Sequence, residues 1–178
     1  MTYSVASRKR DYWTVNGQIN FGFIPGGLVP SVKDPLPVRL QRGDANAQWG
    51  HDHIIADHAH WIRSTGLSVP HLLLTKLAQP GQAYTTEVDS KFKIKLNLTP
   101  NALLLLKLTQ GADPFFGVTS LYFRNSSVDG SWLGNYPACT HASSLLAANP
   151  IFKLLEPVQP IVTIKKKRVF TKPAATKD

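Results

Sequence analysis

The sequence predicts an α+β domain: two N-terminal helices packed on an antiparallel β-meander, followed by an irregular basic C-terminal extension. Three observations predict it. Apolar residues recur at helical spacing in the segment from Gln48 to Arg63. Lys91 to Leu98 alternates polar and apolar residues without a break. Two further apolar stretches, Ala102 to Thr109 and Phe115 to Phe123, follow across short turns. With 43% hydrophobic residues in 178, one ordinary core can form, which excludes wholesale disorder. The expected organisation is an irregular segment over 1–34, one α+β core over 35–164 and a flexible basic tail over 165–178.

Taken in order, Asp11 to Val15 and Ile19 to Ile24 read as short strands around Asn16-Gly17, a hairpin turn signal. Prolines 25, 30, 35 and 37 with Gly26-Gly27 then break the chain, and Pro37 to Leu40 reads as a brief strand. In the first helix Ile54, His58, Trp61 and Ile62 share one face, and Gly66 stops it. A second helix is expected near Val69 to Ala78, with Pro70 in its first turn and Pro80-Gly81 beyond it. Lys91 to Leu98 is a strand with one wet and one dry face, Thr99-Pro100-Asn101 a turn, and the next two strands complete the meander. Further on, 125–131 reads as a loop, His141 to Ala148 as a short helix and Ile161 to Ile164 as a last strand.

Lys and Arg number 20 against 11 Asp and Glu, a balance that favours a polyanionic partner: RNA, DNA or an acidic protein covering a basic face. Cys139 is the only cysteine, which excludes an intramolecular disulfide and a thiolate metal cluster. The first ten residues lack the apolar stretch of a secretory signal and no apolar run approaches a membrane span, so a cytoplasmic protein without a membrane partner is expected. Delivery to a target cell or association with a virion is compatible with this. No nucleotide-binding glycine loop, zinc-protease or serine-hydrolase motif occurs.

Four of the six histidines, His51, His53, His58 and His60, fall within ten residues. Histidine exchanges protons near neutral pH, so this cluster in a basic chain points to proton transfer on an anion or to a metal site. Gly50-x-x-His53-Ile54-x-x-x-His58 on a helix, followed by an antiparallel sheet carrying Val118-Thr119-Ser120-Leu121-Tyr122-Phe123-Arg124, resembles the barnase–EndoU–colicin–RelE group of ribonucleases, as found in phage and polymorphic toxins. The resemblance spans about 36–124. It implies a metal-independent endoribonuclease, a toxin or phage effector that needs no cofactor, cleaves RNA through a 2′,3′-cyclic phosphate and is held in check by an acidic immunity or antitoxin protein.

The residues suit that chemistry, which needs a base, an acid and donors to a charged phosphorane. His53 and His58 are the expected base and acid, and Thr119, Tyr122 and Arg124 complete the expected catalytic set. His51, Lys95, Lys107 and the tail residues Lys165, Lys166, Lys167 and Arg168 are the expected substrate-binding groups. Five residues of helix turn by about 500°, so His53 and His58 start about 140° apart and converge only if His53 lies at a frayed helix start. His51, on the face of His58, is the competing partner.

Plainer roles stand beside these. His58 fits a half-buried structural histidine, His51-x-His53 and His58-x-His60 resemble paired zinc or nickel ligands, and Lys91, Lys93 and Lys95 fit a solvated strand face. Trp49 beside the histidines is placed to stack a base. The alternative class is therefore a non-catalytic nucleic-acid-binding protein, viral or structural, that uses the same charge and sheet.

Overall fold

The computed structural model describes residues 1–4, 7–86, 93–124 and 127–148. Two short strands, β1 (Tyr3–Ser4) and β2 (Thr14–Val15), pair with each other. The other seven are β3 (Asn20–Ile24), β4 (Leu36–Arg39), β5 (Gly81–Thr85), β6 (Lys93–Leu98), β7 (Ala102–Thr109), β8 (Phe115–Phe123) and β9 (Trp132–Tyr136). They form one sheet in the order β3-β4-β8-β7-β6-β5-β9, antiparallel except where β4 runs parallel to β8 at Val38 and Arg39. Three helices complete the fold among the described residues: α1 (Gly50–Thr65), α2 (Val69–Leu77) and α3 (Thr140–Ala147).

The elements with strong local signals form where expected. In β6 the alternation places Ile94, Leu96 and Leu98 inside and Lys93, Lys95 and Asn97 outside. Asn101 takes φ +51° in the three-residue β6–β7 turn, a conformation that asparagine tolerates. Gly66 ends α1 at φ +68°, its N–H donating to the Arg63 carbonyl. The Asn16-Gly17 turn also forms, both residues at positive φ and Val15 and Gln18 exchanging two backbone hydrogen bonds of 2.9 Å.

α2 is buried on every side, with Val69, Leu72, Leu73, Leu74 and Leu77 all in the core, as a helix apolar all round must be. The sheet curls around it. Leu77 accepts hydrogen bonds from the Tyr136 hydroxyl (3.1 Å) and the Cys139 N–H (3.0 Å) on the β9 side, while its side chain packs against Gly22 of β3 at the opposite end of the strand order. α3 spans the gap between these ends, its His141 Nε2 lying 3.1 Å from the Asn20 carbonyl oxygen. Lys76 is buried too, its pKa held down by burial, and donates to the Pro100 carbonyl at 2.8 Å, which ties α2 to the β6–β7 turn.

The expected architecture is therefore corrected. The helices do not open the chain, since α1 begins at Gly50 after four strands; α3 stands where the short helix at His141 to Ala148 was expected and packs with α2, so that three helices and not two meet the sheet among the described residues; and strands dominate. The predicted meander exists as β6-β7-β8 but is only the middle of a seven-stranded curled sheet. The expected hairpin of 11–15 with 19–24 stops at its turn, because β2 pairs with β1 and β3 pairs with β4. Within the stretch read as irregular, Val15, Phe21, Ile24, Val29 and Val32 join the core. Arg39 anchors it: its guanidinium donates to Asn20 and, through two nitrogens at 2.6 and 3.1 Å, to Asp113. β5 and β9 escaped the sequence reading because both are five-residue strands interrupted or opened by glycine, Gly81 and Gly134, with no long alternation. The expected strand at Ile161 to Ile164 and the tail over 165–178 lie outside the described residues.

Candidate functional site

α1 leaves the loop before it at an angle that only glycine allows. Gly43 and Gly50 both have positive φ, and a Cβ on Gly50 would lie 2.6 Å from the Gly43 Cα. The helix then runs along β8 beyond its short pairing with β4. Ile54 and Ile62 enter the core cluster while His58 reaches the other face of β8, where Ser120 and Tyr122 alternate away from Leu121.

His58 is the centre of this arrangement. Its backbone leaves helical geometry (φ −121°, ψ 18°), and its ring turns to place Nε2 3.1 Å from the Ser120 hydroxyl. The ring stacks on Tyr122 at 4.9 Å and meets His53 edge-on at 5.8 Å. The two histidines thus converge through a break at His58, not through fraying at His53. Burial lowers the His58 pKa, the charge of a protonated His53 lowers it further, and Asp57 acts in the opposite direction. His53 is only 8% exposed, and its Nδ1 lies 3.2 Å from an Asp57 carboxylate oxygen, within ion-pair distance but without hydrogen-bond geometry. His51 goes elsewhere: its ring lies tilted against Trp13 at 4.4 Å and Nδ1 is 3.1 Å from Asp52.

Strand register builds the rest of the surface. Directly paired residues share a face, so Trp132–Tyr84–Lys95–Leu105–Ser120 is one row across β9, β5, β6, β7 and β8, and it ends at His58. At about 4.8 Å per strand the row spans about 19 Å. A parallel row, Asn135–Gln82–Asn97–Leu103–Tyr122, carries three side-chain amides and ends on the tyrosine stacked against His58. Lys93 and Lys107 face each other in a third row. Trp132 is 60% exposed, Lys95 donates to the Asp129 carbonyl at 3.0 Å, and Tyr84 donates to Gln82 at 2.7 Å.

The predicted catalytic and substrate-binding residues are divided by this geometry. His53, His58 and Tyr122 come together. Thr119 and Lys107 instead line a groove of about 450 Å³ with Arg10, Trp49 and Lys93, which neither His53 nor His58 lines. Arg124 holds the turn after β8, its guanidinium donating to the Ser127 carbonyl and reaching Asp129 at 3.4 Å. Lys165, Lys166, Lys167 and Arg168 lie outside the described residues. Among the described residues no group of three or more His, Cys, Asp or Glu is arranged to hold a metal ion, and no helix is long and apolar enough to cross a membrane. Sequence reasoning assigned no role to Ser120, Tyr84, Gln82, Asn97, Asn135 or Trp132. For Tyr84 a faint signal exists in the polar–apolar order of Gln82-Ala83.

The histidine environments set a pH dependence. Burial is the leading cause that lowers the pKa of His51, His58 and His71 below the usual value. Below about pH 6.5 the unfolded chain then binds more protons than the fold, so stability rises with pH across that window and falls on acidification. Thermal melts taken from about pH 7.5 down to about pH 5.5 are expected to show a falling Tm, less so in His58→Gln. A Tm that rises on acidification contradicts these environments.

Compared with protein-family models, with curated proteins and with solved structures, the chain has no significant match. The class it defines is thus stated by geometry alone: a curled, mostly antiparallel sheet filled by a central helix, with aromatic, amide and lysine side chains in register on its outer face.

Proposed function

We propose that this chain binds single-stranded RNA across the outer face of its sheet. The observation that carries the reading is the row Trp132–Tyr84–Lys95; beyond it Leu105 is half-buried and Ser120 is buried against His58. Aromatic side chains on a sheet stack unpaired bases whatever their identity, at about 1–3 kcal/mol per base. Lys95, Lys93 and Lys107 meet phosphates from the same face, in a chain of formal charge +9. The adjacent amides of Gln82, Asn97 and Asn135 offer donors and acceptors to base edges and to the ribose 2′-hydroxyl. Fluorescence polarisation with one sequence as single-stranded RNA, single-stranded DNA and duplex RNA tests the reading. Tightest binding is expected for single-stranded RNA, with log affinity falling linearly as log salt rises. Equal affinity for duplex and single strand, or no binding at low salt, rejects it.

A second reading, cleavage as well as binding, is favoured by one observation: His53 and His58 meet at 5.8 Å beside Tyr122, where two rows of the sheet end. His58, held below the usual histidine pKa, is neutral at pH 7 and suits the base. RNA incubated with the protein in EDTA should then acquire cyclic phosphate ends, and His58→Ala should slow this by at least about 10²-fold with binding retained. Intact RNA rejects cleavage and leaves the binding reading standing.

A further inference from the structure

The amide row next to the aromatic row opens onto a cavity at one end of the sheet. We infer that this cavity selects bases, accepting those with an exocyclic carbonyl (uracil, cytosine, guanine) and disfavouring adenine. The inference rests on the sheet-face reading and names the bases that face takes. The cavity holds about 730 Å³, within the usual range of small-ligand sites, about 300–1,000 Å³. Four side-chain amides line it, those of Gln82, Asn97, Asn101 and Asn135, with three prolines that bring no backbone donor. Its described lining holds no charged side chain, so it suits a neutral base edge and not a phosphate.

Asn135, Gln82 and Asn97 are directly paired across β9, β5 and β6, so their side chains share the outer face. Asparagine is a poor strand residue, yet two stand inside strands here. Neither their side-chain amides nor that of Asn101 hydrogen-bonds to another described residue, so each keeps a donor and an acceptor for a ligand. Gln82 differs. Its Oε1 accepts the Tyr84 hydroxyl at 2.7 Å, which turns the NH2 end away from Tyr84, and Gln82 but not Tyr84 lines the cavity. The end of this amide that faces the cavity is therefore a donor. A base carbonyl meets it as an acceptor, whereas the adenine amino group sets donor against donor. The spacing agrees. Tyr84 and Gln82 are two residues apart on β5, about 6.6 Å along the strand. That is comparable to half a base plus one hydrogen bond of about 2.9 Å, so a base stacked on Tyr84 reaches the amides with its edge.

Abasic RNA dodecamers carrying four central inosines or four central adenosines, titrated into the full chain by fluorescence polarisation, test this. The two bases have nearly the same stacking area and differ at C6, carbonyl against amine, so stacking and phosphate contacts cancel in their ratio. Inosine should bind at least about tenfold more tightly than adenosine, the scale of one good base-edge contact. Gln82 is exposed, so Gln82→Ala should leave the fold intact and bring that ratio below about threefold. Tyr84→Phe keeps the ring and frees the Gln82 amide to rotate. It should narrow the ratio by raising adenosine affinity, which a merely structural tyrosine would not do. Equal binding of the two probes by the parent, or a ratio unchanged in Gln82→Ala or in Tyr84→Phe, would overturn the selection and leave strand binding standing. Failure of both probes to bind at low salt removes the sheet-face reading, and this inference with it.

Discussion

Alanine at both Tyr84 and Trp132 is expected to weaken single-stranded RNA binding by about 2–6 kcal/mol, at least about thirtyfold, since each stacked base contributes about 1–3 kcal/mol. The two side chains are directly opposite on β5 and β9, so a double-mutant cycle is expected to show coupling between them. Trp132 is largely exposed and Tyr84 half-buried, so the fold should tolerate the change and the melting temperature should move little. Lys95→Gln in the same row should act differently, weakening binding evenly across sequences and reducing the salt slope by about 0.7. Polarisation titrations at several salt concentrations, with a thermal melt of each variant, separate the two effects. A double variant that melts normally and binds within about threefold of the parent would remove the row from the site.

Leu74→Ala is expected to destabilise the protein by about 2–5 kcal/mol, the range for a buried leucine that leaves a cavity. Leu74 is fully buried on α2, and the sheet encloses this helix from both ends of its strand order, so the surroundings have little room to collapse into the void. Against a typical total of about 5–15 kcal/mol this is a large fraction, and it should appear as a lower urea midpoint with an unchanged slope. A loss below about 1 kcal/mol would mean that α2 is not the centre of the core.

The difference between these two sites also marks what was legible in the sequence. Local rules act over a few residues, and where they were strong they sufficed. The alternation of β6, the apolar run of β7, the spacing in α1, the stop at Gly66 and the turn at Asn101 each correspond to an element in place. The proximity of His53 and His58 was also legible as a pairing on one helix, though the break in helical geometry at His58 that brings the rings together was not. Strand neighbours, by contrast, are set by hydrogen bonds between residues far apart in the chain. Glycine-containing five-residue strands such as β5 and β9 carry too little pattern to announce themselves.

The sequence by itself therefore determined the helical histidine segment, the three strands of the meander, the positive charge and the identity of the chemistry-bearing residues. Tertiary structure alone decided which of those residues meet. Thr119 and Lys107 were grouped with the histidines by type, but the β-bulge and strand register assign them to a separate groove. Ser120 and Trp132, which sequence gave no reason to connect, became the two ends of one row. The physical reason is that side-chain direction in a strand follows from period two and is readable locally. Register across five strands is a long-range property, settled by how a curled sheet buries α2.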